Sequence, residues 1–183
     1  MSCHPSRPVP GFTLIELAIV LAIAAILLRA AVPGMARSVA AHALSAQVGE
    51  FVAALRYARS EALKRGTVVT MCAADATAPA PRCEPARDAD WRGGWFVFVD
   101  AQARGVIDAG DALLRVQPPL ARSGGVAGTR ASISFAASGI STDASSHYLF
   151  NPPIAPATDA PPPVMVCVSK QGRPRIVGTE ICD

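Results

Sequence analysis

Residues 11–28 read Gly-Phe-Thr-Leu-Ile-Glu-Leu-Ala-Ile-Val-Leu-Ala-Ile-Ala-Ala-Ile-Leu-Leu, and this stretch decides how the chain is built. From Phe12 to Leu28 every residue is apolar except Thr13 and Glu16. A helix carried on to Pro33 rises about 1.5 Å per residue, roughly 33 Å in all, enough to cross a hydrocarbon core of about 30 Å. An ionised side chain in mid-bilayer costs about 2.5–3.5 kcal/mol on insertion scales, so Glu16 needs a partner. A cut between Gly11 and Phe12 creates an α-amino group one helical turn away from it. Arg7 stands before the run and no acid precedes Glu16, which by the positive-inside rule keeps the N-terminus cytoplasmic and sends the rest of the chain across. A secretory signal peptide shares the basic start and the apolar core, and Ala22-Ile23-Ala24 imitates its cleavage site. That site lies inside the run, however, and Glu16 would interrupt the apolar core. A plain single-span anchor accounts for the length but for neither the Gly-Phe junction nor the acid.

The block Gly11-Phe12-Thr13-Leu14-Ile15-Glu16-Leu17 resembles the prepilin processing site of type IV pilins and type II secretion pseudopilins. The resemblance implies that a prepilin peptidase cuts after Gly11 and that Phe12 becomes an N-methylated terminus. It also implies that Glu16 pairs with the N-terminus of a neighbouring subunit during assembly.

The chain has 183 residues and a formal net charge of +3, too mild an excess to mark a nucleic-acid binder globally. Any such role must rest on a local patch. Beyond an N-terminal helix, the length leaves one domain of about 120 residues, enough for a single core. Of five cysteines, Cys3 lies in the leader, leaving Cys72, Cys83, Cys167 and Cys182. An even number outside the cytoplasm reads as disulfides. Three pairings are open, and the one with the shortest loops joins Cys72 to Cys83 and Cys167 to Cys182. Zinc is the rival use, but no pair has the C-x₂₋₄-C spacing.

Past Pro33-Gly34, which should loosen rather than end the helix, a helical period resumes from Met35 to Arg65. Leu44, Val48, Phe51, Val52, Leu55, Ala58 and Ala62 form one apolar face, while Arg56, Arg59, Glu61, Lys64 and Arg65 read mostly as a solvated one. Gly66 suits the position just past the helix end. From Thr67 the period changes to two. Strands are expected at 67–72, 94–100, 133–135, 148–150, 164–168 and 175–177, with a weaker one at 113–116. Loops are expected at 76–90, 123–128 and 152–163. The fold class is therefore α+β: a long N-terminal helix, transmembrane in its first half, packed on a C-terminal antiparallel β-sheet domain. The expected divisions are a leader over 1–11, a transmembrane segment over 12–34, an amphipathic half-helix over 35–65 and a β-rich domain over 66–183.

Ala58-Arg59-Ser60-Glu61-Ala62, Val69-Thr70-Met71-Cys72, Trp91 with Gly94-Trp95-Phe96-Val97-Phe98-Val99-Asp100, and Ser134-Phe135 before Ser138-Gly139 occur in that order. Together they resemble the GspH/FimT branch of minor pilins. Trp91, Trp95, Phe96 and Phe98 also read simply as strand core and rim. The segment Lys170-Gln171-Gly172-Arg173-Pro174-Arg175 lies between two C-terminal strands and exposes three cations around a glycine turn. Arg173 and Arg175, two apart in extended chain, should share a face. Gly172-Arg173-x-Arg175 is similar to the motif that FimT-type pilins use to bind DNA in natural transformation. That similarity implies double-stranded DNA as a partner of Lys170, Arg173 and Arg175. The plainer alternative is a solvated hairpin whose arginines pair with Glu180 or Asp183.

No enzyme is expected. No nucleophile elbow accompanies the Ser, His and Asp residues, and the Gly pairs lack a phosphate-loop context. Asp100, Asp108 and Asp111 form a loose acidic loop without the EF-hand pattern. No cofactor or metal is expected. The family resemblance implies a minor type IV pilin in the inner membrane with a periplasmic domain, partnered by prepilin peptidase and other pilins and minor pilins. A GspH-like pseudopilin of type II secretion, with a purely structural role, is the alternative.

Overall fold

The structure, a computed structural model, describes residues 13–85, 88–121, 123–143, 145–153, 160–178 and 182; of Leu28 and residues 30–34 it describes the backbone only. One helix, α1 (Leu14–Arg65), precedes nine strands. These are β1 (Val69–Ala73), β2 (Ala89–Asp90), β3 (Trp95–Val99), β4 (Ala112–Gln117), β5 (Val126–Gly128), β6 (Ser132–Phe135), β7 (Ser146–Phe150), β8 (Val164–Val168) and β9 (Pro174–Val177). Two compact units divide the chain, Met1–Ala36 and Arg37–Asp183.

In the first unit Thr13 caps the helix: its hydroxyl accepts from the Glu16 backbone N–H at 3.3 Å, and its carbonyl accepts from Leu17 N–H at 3.2 Å. Glu16 is exposed in the first turn, where the helix N-terminus favours a negative charge. Leu14–Leu27 is apolar and exposed almost throughout. The charged Arg29 ends the uninterrupted apolar run, which the extension to Pro33 passes over. The helix is unbroken through Pro33 and Gly34. Met35–Arg65 also reaches a mean hydropathy of 1.2, but 44% of its most apolar stretch is buried, as in the core helix of a domain.

The second unit is built on that buried face. Leu44, Val48, Phe51, Val52, Leu55, Ala58 and Ala62 are all buried, as their spacing predicts. They share one core with Val69, Met71, Val97, Ile133 and Phe135 of a four-stranded antiparallel sheet, ordered β4-β3-β1-β6. Tyr148, Phe150, Val166 and Val168 join the same core from a five-stranded sheet, ordered β2-β5-β7-β8-β9. Phe51 is the hub, with its ring centroid 4.8–5.4 Å from those of Trp91, Trp95, Tyr148 and Phe150. Full burial of each such side chain contributes about 1.5–3 kcal/mol.

Both faces of β1 are covered, which explains its unbroken burial. Cys72, Cys83, Phe96, Phe98 and Ala74 pack together in a second, smaller cluster. Cys72 is joined there to Cys83, with Cα atoms 5.6 Å apart, and Cys167 is joined to Cys182 at 5.7 Å.

Three expectations need correction. Residues 126–128, read as loop, form β5, and Ala89–Asp90, also read as loop, form β2. Gly128 lies against the Trp91 and Tyr148 rings, where a side chain would collide, so a glycine-rich stretch became a strand through close packing. Trp91 belongs to a 3₁₀ turn (Trp91–Gly93) rather than a strand; it is fully buried, and its indole N–H donates to the Arg130 carbonyl at 2.9 Å.

Candidate functional site

The basic hairpin between β8 and β9 is held in place by two glycines. Ser169 N–H donates to Arg173 O at 3.2 Å and Gly172 N–H to Ser169 O at 2.8 Å, so Lys170-Gln171-Gly172 form a three-residue loop. Gly172 has φ +71°, and a Cβ there would stand 2.5 Å from the Gly139 carbonyl and 3.1 Å from the Phe135 ring. The neighbouring turn, Ala136–Ile140, is itself closed by Gly139 at φ +74°. Ser141 N–H donates to Lys170 O at 3.0 Å and ties the two turns together. A Cβ on Gly139 would meet Arg59 Nε and the Leu63 methyls at 3.1 Å. Each turn thus rests on the next, and the stack ends on α1.

Lys170, Arg173 and Arg175 are all exposed. Pro174, which lacks an N–H, opens β9 at the edge of its sheet, where a missing donor is tolerated. Arg173 and Pro174 line a groove of about 440 Å³ whose other wall is Arg56, Arg59, Ser60 and Leu63 of α1. Arg175 is not among its lining residues. Glu180 and Asp183, the acids expected as partners in a plain hairpin, lie outside the described residues. Among the described residues no carboxylate pairs with Arg56, Arg59, Arg173 or Arg175. The helical period alone places Arg56 and Arg59 on a solvated face. Their spacing with Ser60 and Leu63 (i, i+3, i+4, i+7) marks a helix strip, but only the stacked turns bring that strip to Arg173.

A second hollow, of about 370 Å³, includes Arg104, Arg130, Asp143 and His147. Its arginines are already paired, Arg130 with Asp143 at 3.5 Å and Arg104 with Asp108 at 3.7 Å. The acidic loop is likewise committed to donors within the fold. Asp100 accepts from Thr70 Oγ1, Arg104 N–H and Gly105 N–H at 2.8–3.0 Å, and Asp111 accepts from Ala101 and Asp108 N–H groups. Among the described residues no group of three His, Cys, Asp or Glu side chains is placed to hold a metal. The processing residues Gly11 and Phe12 lie outside the described residues, whereas Glu16 stands exposed one turn into α1.

A methylation-type N-terminus leading into a helix that forms the core of an antiparallel domain defines a pilin-like subunit. The profile described as Prokaryotic N-terminal methylation motif matches residues 7–31, and that described as Type II transport protein GspH matches residues 47–172. The chain belongs to the GspH family of minor type IV pilins and pseudopilins. Its fold is similar to that of the type IV minor pilin FimU of Pseudomonas aeruginosa strain PAO1. The two share 19% identity and a TM-score of 0.53, covering 73% of this chain and 87% of that one. A second crystal form of FimU gives a TM-score of 0.49 at 19% identity, covering 73% and 91%. No curated protein sequence matches the chain. Membership implies assembly with other pilins and processing by prepilin peptidase, and the motif with the apolar start of α1 marks a membrane-anchored pilin.

Proposed function

We propose that the chain is a minor type IV pilin that helps to initiate pilus assembly and captures double-stranded DNA. In this reading prepilin peptidase cuts between Gly11 and Phe12, and Phe12 is N-methylated. Residues 12–34 hold the protein in the inner membrane with its domain in the periplasm. Glu16 pairs with the N-terminus of a neighbouring subunit. Supporting the assembly role is that α1 supplies both the exposed apolar segment and the domain's core face. The role is structural and ligand-binding rather than catalytic.

The single observation that carries the DNA role is the exposed Lys170–Arg175 turn, held on buried glycines and unpaired among the described residues. Two or three cations on a rim grip phosphates but read no base edges, so binding is independent of sequence. It weakens with salt at a log–log slope of about −0.9 per phosphate contact, roughly −2 to −3 for this turn alone. The test is titration of fluorescent duplex DNA with the domain from about Ala36 onward. Arg173→Ala with Arg175→Ala should abolish most binding and leave the fold intact. Parent-like binding by that variant, or no salt-sensitive binding by the parent, leaves a structural pilin only.

One observation favours a second reading, a GspH-like minor pseudopilin: the matching family is described by type II transport. Neighbouring genes separate the two, other minor pilin genes favouring the pilus and secretion-machine genes the pseudopilus.

A further inference from the structure

We propose that Arg56 and Arg59 of α1 form one phosphate-binding surface with Arg173, the groove between helix and turn seating the DNA backbone. This rests on the DNA reading above and moves its centre from the turn to the groove. The volume, about 440 Å³, lies within the range of about 300–1,000 Å³ typical of ligand clefts. Three guanidiniums line it with Ser60, over the apolar Leu63 and Pro174, and no acid contributes to the lining. Arg59 is half-buried, and its Nε is covered and without a hydrogen-bond acceptor among the described residues. A buried unsatisfied donor is costly, and a phosphate oxygen brought to this guanidinium strengthens the site with charge-assisted bonds. The neighbouring cations differ. Glu61 takes up Arg65 through a hydrogen bond of 2.6 Å and Lys64 at 3.6 Å, so of the four cations from Arg56 to Arg65 the two in the groove are those without a carboxylate partner among the described residues. Planar guanidiniums also match phosphate better than ammonium groups do.

The full-length chain in detergent micelles is titrated with a fluorescent 20-base-pair duplex between about 50 and 200 mM salt. With Arg56 and Arg59 engaged, the parent slope should be about −4 to −5, steeper than the turn alone provides. Arg56→Gln with Arg59→Gln should flatten it by about 1–2. The parent then loses roughly tenfold more affinity than the variant across that salt range. Arg56→Lys with Arg59→Lys should keep most of the slope, which separates a charge role from a packing role if the Gln variant melts early. Arg115→Gln, on β4 outside the groove, should flatten the slope by less than about half a unit. A parent-like slope for the Gln pair, with binding lost in the Arg173/Arg175 variant, overturns the groove and leaves the DNA reading standing. No salt-sensitive binding by the parent overturns both. Preference for a polyglutamate peptide over the duplex assigns the groove to an acidic protein segment and overturns the proposal.

Discussion

Replacing Gly172 with Ala tests whether the glycine of the basic turn is required by geometry. At φ +71° an L-residue costs about 1–2 kcal/mol. The new Cβ would also stand 2.5 Å from the Gly139 carbonyl, a backbone atom that cannot swing aside as a side-chain tip can. Relieving that contact by bond-angle and backbone adjustment adds about 1 kcal/mol, for a total of about 2–3 kcal/mol. For a domain of this size each kcal/mol lowers Tm by roughly 2–4 °C, so a fall of about 4–12 °C is expected. Circular dichroism melting of the Arg37–Asp183 domain measures it. Gly178→Ala is the control: nothing among the described residues lies within 4 Å of its Cβ position, and the change should stay within about 0.5 kcal/mol. DNA affinity should fall with Gly172→Ala even well below the melting range, because the turn that carries Arg173 must shift. A Gly172→Ala domain that melts and binds DNA as the parent does refutes the stacked-turn argument.

Mass spectrometry of membrane-extracted protein should give a chain starting at N-methylated Phe12; an intact leader or a start after Ala24 counts against the processing reading. Glu16→Gln, which removes the charge while leaving the Thr13 cap in place, should leave the protein membrane-inserted but poorly assembled, and unchanged incorporation into filaments argues against the pairing role. Oxidised protein should contain no alkylatable thiol among Cys72, Cys83, Cys167 and Cys182. Opening the Cys72–Cys83 loop with paired Ser substitutions should lower stability in guanidinium by about 3 kcal/mol, and a loss below about 1 kcal/mol contradicts this. Glu61 titrates below the ordinary carboxyl range, chiefly because Arg65 hydrogen-bonds to it and despite partial desolvation. A lowered folded pKa means that its contribution is complete above the unfolded value, about 4.5, and is lost as pH falls below it. The melting temperature of the parent should therefore drop more steeply from pH 5 to pH 3 than that of Glu61→Gln, and parallel curves reject the assignment.

The helix was legible because its two halves repeat simple rules. An apolar run with one acid marks the anchor, and a three-to-four spacing from Leu44 to Ala62 marks the core face. The central strands were legible through their runs of β-branched and aromatic residues, as in Trp95–Val99. What escaped was structure made by contact rather than composition. Val126–Gly128 contains two residues of little strand preference and becomes β5 because it pairs with Phe150, Leu149 and Tyr148. The candidate site divides in the same way. Lys170, Arg173 and Arg175 stand next to a turn signal in the sequence. Arg56 and Arg59 are more than a hundred positions away, and nothing in their local pattern says which turn will lie over them.

The four basic residues at the end of α1 do not serve one purpose, and their positions separate them. Lys64 and Arg65 occupy the last turn, where exposed carbonyls favour positive charge, and both pair with Glu61. Their presence is explained by the helix that carries them. Arg59 stands more than one turn and Arg56 more than two turns earlier, outside the last turn and without a carboxylate partner among the described residues. Arg59 is also drawn partly under cover against Gly139, where a charged side chain loses hydration that no ion pair among the described residues replaces. Stability alone would favour an uncharged residue at that position. A charge there, at the wall of a groove whose other wall is the exposed basic turn, is what the proposed phosphate-binding surface would use.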